Sequence, residues 1–518
     1  MRRIRLWALA GVGVLAAYIL LFGSPHYEPG DDAVLLWSLL AGETYSLYTH
    51  PLLHWPLLLL TTLVPSAAWM SAWQMGMLAL GAYGCLTGGM RMAEKSRLPL
   101  RVGFFVSFAC CAATILPCAN NVTYTLTGAA LGMAAMWQLL GGAGAGRSFL
   151  YLLLGFCLRD AAVLPSLAFW LGGLVCLWKL EDLPLRKILR AASACLGVLA
   201  LMAAAHDAQA ALSGERAYAD WQESRIAAMD YGDLSAQETW TQEEAALVGA
   251  WCLMDESVTQ EALNAVPQSE PSRQTLGLLF AKSRWMYWLC ALTAAAFLCG
   301  CLGMGWWSRL AALCGGLLGA AMLMYLALKG RLPARAAAAV VFPAIAYAAY
   351  LLLRLPVRRR TAALMLISVL MIPCLRQTWT LTRQPKPESR ETVFTRLDEY
   401  ALSHPDELII GDHTLGRDLT LFPVRDGGFP RNLLLAWGGW NTHSAGYRET
   451  LAAFGYEHDR FRMGNLLDEP IRLAVKAGGE PMPELLRLME AQCGQAVRAV
   501  LCHEGDGYLL YRFEKEGT

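Results

Sequence analysis

Apolar residues run along this chain in long unbroken blocks, not in alternation. Leu6 to Phe22 and Leu310 to Leu328 are nearly free of charge, and further blocks of the same kind lie between and beyond them. Runs of about 18 residues or more are long enough to cross the hydrocarbon layer as helices. Lipid offers no partner to backbone N–H and C=O groups, so each crossing must satisfy them internally, and continuous runs select helices over a barrel. The expected spans cover about 6–23, 67–89, 102–118, 126–142, 149–158, 161–178, 191–210, 284–304, 310–328, 335–353 and 361–379. Residues 51–64 form one more apolar stretch, read as interfacial. The fold class expected is mainly α: a polytopic helical bundle of about eleven crossings with a small soluble α/β domain behind it.

Lysine and arginine orient the bundle, because short cytoplasmic loops collect them. The basic clusters are Met1–Arg5, Arg91–Arg101, Lys179–Arg190 and Arg354–Arg360. Threading the spans between them puts the N-terminus inside and the C-terminus outside. Residues 1–379 then form the bundle, with external loops 24–66 and 211–283, and residues 380–518 form an external domain. The 211–283 loop is acidic and holds Tyr218, Trp221, Tyr231, Trp240 and Trp251. In the tail, Leu408-Ile409-Ile410, Val497 to Leu501 and Tyr508 to Phe513 read as strands, and Glu484 to Gln492 as a helix.

Composition agrees: 56% of residues are hydrophobic and 16% charged, against about 25% charged in ordinary soluble domains. The net charge of +1 gives no reason to expect a nucleic-acid partner. Membrane lipids are the expected surroundings, and a cell membrane the expected location. Most of the fifteen cysteines sit inside apolar blocks, where they act as small hydrophobes. Met1-Arg2-Arg3-Ile4-Arg5 resembles a signal-peptide start, but no small-residue cleavage site follows, so it reads as an uncleaved first span.

Charge at the membrane surface is costly and tends to mark function. Asp31 and Asp32 follow the first span. One aspartate suits a helix N-cap, but two also suit a carboxylate held as general base, and both readings stand. His50 and His54 are four apart, on one helix face. They read as interfacial contacts or as half of a metal site without a visible third ligand. Arg159 beside Asp160 reads first as an ion pair in a tight turn and second as a cation facing a cavity. Lys329, Arg331 and Arg335 form a basic loop on the side threaded as external. We read it as an anion site, because arginine forks onto phosphate and lysine adds a point charge. Trp437-Gly438-Gly439-Trp440 reads mainly as a turn packing a small core, and otherwise as a face for a sugar ring.

This layout resembles the C-type (GT-C) integral-membrane glycosyltransferases. The matching features are a cytoplasmic N-terminus, one span, an external loop with the acidic pair Asp31-Asp32, uneven middle helices and an external C-terminal domain. The chain is also similar to a group of bacterial multipass membrane proteins through Ser224-Arg225, Asp230-Tyr231, Gly330-Arg331 and Trp437 to Trp440. The resemblance implies transfer of a sugar from a polyprenyl-phosphate donor to a glycan, lipid or protein acceptor outside the cytoplasm. Asp31 or Asp32 would be the base. Lys329, Arg331, Arg335, Arg159 and Arg225 are the candidates for holding the phosphate, and His50, His54, Trp437 and Trp440 are candidate acceptor or loop contacts. No cofactor is implied beyond the lipid-linked donor, although some relatives need a divalent metal at the acidic motif. The competing classes are a polysaccharide polymerase or ligase, where Arg216 and Arg225 would matter most, a transporter or flippase, and a non-catalytic scaffold. No internal symmetry of the transporter kind is visible.

Overall fold

The computed structural model describes residues 2–27, 31–269, 274–303, 305–330, 332–383, 393–415, 429–435, 437 and 439–517. The chain opens with α1 (Arg2–Phe22), β1 (His26–Tyr27), α2 (Asp31–Ala41), α3 (Pro51–Leu63), α4 (Trp69–Lys95), α5 (Leu100–Asn120) and β2 (Asn121–Val122). It continues through α6 (Tyr124–Leu140), α7 (Ala145–Leu158), α8 (Asp160–Leu180) and α9 (Leu185–Leu212). A polar segment folds into α10 (Arg216–Tyr231), α11 (Gln242–Gly249), α12 (Gln260–Asn264) and α13 (Gln274–Lys282). The bundle resumes with α14 (Arg284–Gly300), α15 (Trp306–Leu328), α16 (Ala334–Leu353) and α17 (Val357–Thr382). The tail carries α18 (Val393–Ser403), β3 (Leu408–Gly411), β4 (Leu433–Leu434), α19 (Ala445–Ala453), β5 (Ile471–Lys476), α20 (Pro483–Cys493), β6 (Val497–Gly505) and β7 (Tyr508–Lys515).

Among the described residues, each segment expected to cross the membrane is helical over most of its length. Seven helices (α1, α5, α8, α9, α15, α16 and α17) are long and apolar enough to do so by length and composition. Helices α6 and α14 have 17 residues each and α7 has 14, short of the ~20 that span hydrocarbon without tilt or thinning. Helix α4 is longer but mixes in Gln74, Arg91 and Glu94. Outward faces stay apolar, with Leu20, Leu201, Leu298 and Ile372 all exposed. A water-soluble monomer rarely exposes so large an apolar surface, so this is the build of an integral membrane protein.

Helix α6 lies at the centre, packed on α4, α7, α8 and α16. Its run of Gly128, Ala129, Ala130, Gly132, Ala134 and Ala135 is buried on all sides, and small residues let helix backbones approach closely where lipid supplies no hydrophobic drive. Gln138 of α6 donates to Gly84 O and Thr87 Oγ1 of α4, both at 2.6 Å, so the contact is bonded as well as packed. The helical segment between α9 and α14 has its own core of Trp221, Trp240, Leu253 and Leu263.

The tail forms a five-stranded sheet in the order β4-β3-β5-β7-β6. Strands β4, β3 and β5 run parallel, with Ile409 beside Leu433 and Arg472, and β7 joins β5 and β6 antiparallel. The strand and helix segments expected in the tail therefore all form. Bonds that tie this domain down include Glu256 N donating to Phe461 O at 2.7 Å, Met463 N to Asp255 Oδ2 at 2.8 Å, and Arg448 pairing with Glu215 at 2.5 Å.

Candidate functional site

Three helices begin at one place. Thr123 caps α6 by accepting from Leu126 N at 2.9 Å, Arg159 occupies the N-cap of α8, and Pro333 that of α16. The first-turn residues Tyr124, Thr125, Ala161, Arg335 and Ala336 line a common cavity of about 220 Å³. Helix N-termini carry unsatisfied N–H groups and partial positive charge, so three converging ones favour an anion.

Side chains add to that field. Arg159, Arg225 and Arg335 all line the cavity. Arg225 lies on the inward face of α10, on the same stripe as Tyr218, Trp221 and Gln222. It is 2% exposed. Its Nε donates to Gln222 Oε1 at 2.6 Å and its Nη2 to Tyr48 Oη at 3.1 Å. Among the described residues no carboxylate lies within ion-pair distance of it. A buried charge held only by neutral groups is costly unless an anion completes it.

Aromatic rings form one wall. Tyr48 stacks on Tyr124 with centroids 5.7 Å apart, and the Arg159 guanidinium lies 3.9 Å above the Tyr48 ring. Trp251 closes the far side, with Arg225 5.6 Å over its ring. Its φ of +65° is a left-handed conformation that a bulky residue rarely adopts. The opposite wall is apolar, from Ala162, Pro165, Leu326 and Ala339, while Asp230 and Tyr231 at the end of α10 complete the rim. A phosphate with an apolar chain attached matches this division.

The expected residues separate into groups. Arg159, Arg225 and Arg335 come together. Asp160 does not pair with Arg159; it turns back to accept from Ala161 N at 2.6 Å. Lys329 is exposed at the end of α15 and does not line the cavity. Arg331 and the side chains of Asp31 and Trp440 lie outside the described residues.

Asp32 is buried and bonded at the start of α6. It is 1% exposed, and its Oδ1 accepts from Gln74 Nε2 at 2.9 Å and from Tyr124 N at 3.1 Å. It therefore holds the first residue of α6, and with it the aromatic wall, from behind. His50 and His54 are also buried and structural. His50 caps α3 and contacts Met202 O at 3.1 Å, and His54 Nε2 meets Glu43 O at 2.7 Å. Trp437 is 0% exposed inside the tail core. In this structure packing covers each of these three rings.

Tyr124 went unrecognised in the sequence. A Thr-Tyr pair opening an apolar run signals a helix start, but nothing local links it to Tyr48 or Arg159. Glu43 was missed for the same reason. Its Oε1 accepts from Ser444 Oγ at 2.5 Å and Gly446 N at 3.0 Å, joining the first loop to the tail domain. Burial holds this carboxyl above the ordinary glutamate range, against the lowering effect of those bonds. A raised folded-state value means that Glu43 contributes fully below about pH 4, the unfolded value, and loses that contribution as pH rises through the folded value. Glu43→Gln should match the wild type in apparent Tm at pH 4 and exceed it progressively toward pH 8. Glu43→Ala strands two buried donors and should cost about 2 kcal/mol at either pH.

No family model and no curated protein matches this chain, so the chemistry of the cavity rests on its own geometry.

Proposed function

We propose that this chain is a membrane glycosyltransferase that draws a sugar from a polyprenyl-phosphate donor seated in the arginine cavity. In this reading the bundle crosses the membrane eleven times, with the N-terminus cytoplasmic and the tail domain on the outer face. Charge distribution supports that orientation, and tilt or local thinning accommodates the shorter helices. The observation that carries the reading is Arg225, a buried guanidinium with neutral partners beside two further arginines and three helix N-termini.

Arg159, Arg225 and Arg335 bind the donor phosphate and stabilise the charge left on it as the sugar departs. The apolar wall takes the start of the prenyl chain, and the aromatic rings limit water around the anomeric carbon. Asp230 is the described carboxylate on the rim, and it takes the proton from the acceptor hydroxyl. Asp32 acts as a positioning residue through Tyr124.

The test uses the full-length protein in lipid nanodiscs, with Trp fluorescence reporting binding near Trp251. Polyprenyl phosphate should bind and polyprenol should not. Arg225→Met should weaken phosphate binding about thirtyfold, equivalent to ~2 kcal/mol for lost charge-assisted bonds. With a polyprenyl-phosphate sugar and an added acceptor alcohol, Asp230→Asn should bind the donor normally yet release little free polyprenyl phosphate. Equal affinity for the alcohol and the phosphate would remove the anion site, and with it this function. Phosphate binding without turnover in the wild type would leave a carrier or scaffold instead.

A further inference from the structure

The N-terminal half of α10, through Ala217, Tyr218 and Trp221, faces a second cavity, of about 330 Å³, between the 216–269 segment and the tail domain. His443, His458 and Asp459 meet at its edge. His443 lies in the turn before α19 with φ of +70°, held there by Arg448 Nη1 donating to its carbonyl oxygen. His458 and Asp459 belong to a 3-10 turn at His458–Arg460. Their ligating atoms all lie within 4.8 Å of one another. His458 Nε2 is 2.5 Å, and His443 Nδ1 3.8 Å, from Asp459 Oδ1.

We infer that His443, His458 and Asp459 form a binding site for a divalent transition cation of the zinc class, with its open coordination position toward this cavity. Two imidazoles and one carboxylate are a donor set that zinc accepts, while magnesium and calcium prefer all-oxygen shells. Tetrahedral ligands at zinc distances stand roughly 3.4 Å apart, so the present spacings need only a small adjustment. Asp459 is 72% exposed and has the freedom to make it.

The surroundings favour a cation. Arg448 is a positive charge that acts on both histidines, and Glu215 neutralises it at 2.5 Å. Glu256 is likewise balanced by Arg462 at 2.6 Å. Asp255 lines the same cavity and spends its oxygens on Ser257 N, Met463 N and Gln492 Nε2, so its charge remains uncompensated by any cation among the described residues. Burial, followed by the charge on His458, lowers His443 to about 4. Burial also lowers His458, against the pull of Asp459. The tail turn and α10 meet here, with His443 edge-on to Trp221 at 4.8 Å, so a bound ion would pin the tail domain to the bundle's external segment.

The experiment uses full-length protein without a histidine tag, stripped with a chelator and titrated with Zn²⁺ by calorimetry. Co²⁺ spectroscopy is run alongside. We expect one equivalent of Zn²⁺ per chain and a Co²⁺ spectrum of low-coordinate nitrogen and oxygen ligation. His458→Ala should weaken binding about a hundredfold and Asp459→Asn about tenfold. Mg²⁺ should not compete. His458 is peripheral to the core, and apparent Tm without metal checks that both variants remain folded. The Co²⁺ spectrum tests the ligand set in the wild type even if a variant fails to fold. Absence of stoichiometric Zn²⁺ binding, or binding unchanged in His458→Ala, would reduce the cluster to a hydrogen-bonded surface group and overturn the proposal.

Discussion

Arg448→Met should lower the unfolding free energy by about 3 kcal/mol, read as a fall in apparent Tm of the detergent-solubilised protein. Glu215 has a side chain only 6% exposed, and both its oxygens accept from Arg448, at 3.2 and 2.5 Å. Removing the arginine leaves a buried carboxylate without its cation, which typically costs 3–5 kcal/mol. The lower end applies because Arg448 is itself 31% exposed. The same substitution releases the carbonyl of His443. Replacing both residues, with Glu215→Leu added, should recover most of the loss, since an apolar pair avoids the desolvation cost of both ions. A double variant as unstable as the single one would show that Arg448 works through His443 instead.

Gly88→Ala should disrupt the bundle by a comparable or larger amount. A Cβ at Gly88 would lie 2.4 Å from the carbonyl oxygen and 2.5 Å from the carbonyl carbon of Trp137. Those are backbone atoms of the central helix, so no rotamer change relieves the clash. Helices α4 and α6 must separate, which strains the bonds from Gln138 to Gly84 and Thr87. Overpacking by one methyl commonly costs 1–3 kcal/mol, and loss of the buried bonds should bring the total to about 3 kcal/mol or more. Gly197→Ala is the control. Nothing lies within 4 Å of its Cβ position on α9, so alanine there should be neutral or stabilising by up to about 1 kcal/mol. Size-exclusion yield and apparent Tm of the two variants side by side make the comparison.

Helices were legible along most of the chain because their apolar blocks are continuous and their ends carry ordinary signals. Pro99, Pro184 and Pro356 precede α5, α9 and α17, and Thr123 precedes α6. The tail strands were legible as short apolar runs between turns. The site was legible only in part. Arg159 and Arg335 drew notice as charges where charge is costly, and Arg225 only through the resemblance to other membrane proteins. Their neighbours Tyr48, Tyr124 and Trp251 are ordinary aromatics until the chain folds. Asp32 could be read as a cap or a base, and its bond to a helix start 92 positions away was not visible in the sequence. His50 and His54 looked like a ligand pair, and each found a backbone carbonyl.

What this sequence determined by itself is where helices form and which of them are apolar enough for lipid, since both depend on neighbours within about a turn and on the cost of exposing backbone in hydrocarbon. Which charges share a cavity was decided by tertiary structure alone. Arg159, Arg225 and Arg335 come from three helices far apart in the chain, and His443 and His458 are neighbours only because a turn and a short helix fold back on each other. Local propensity carries no information about such encounters, because they arise from the packing of whole helices around the small-residue faces of α4 and α6.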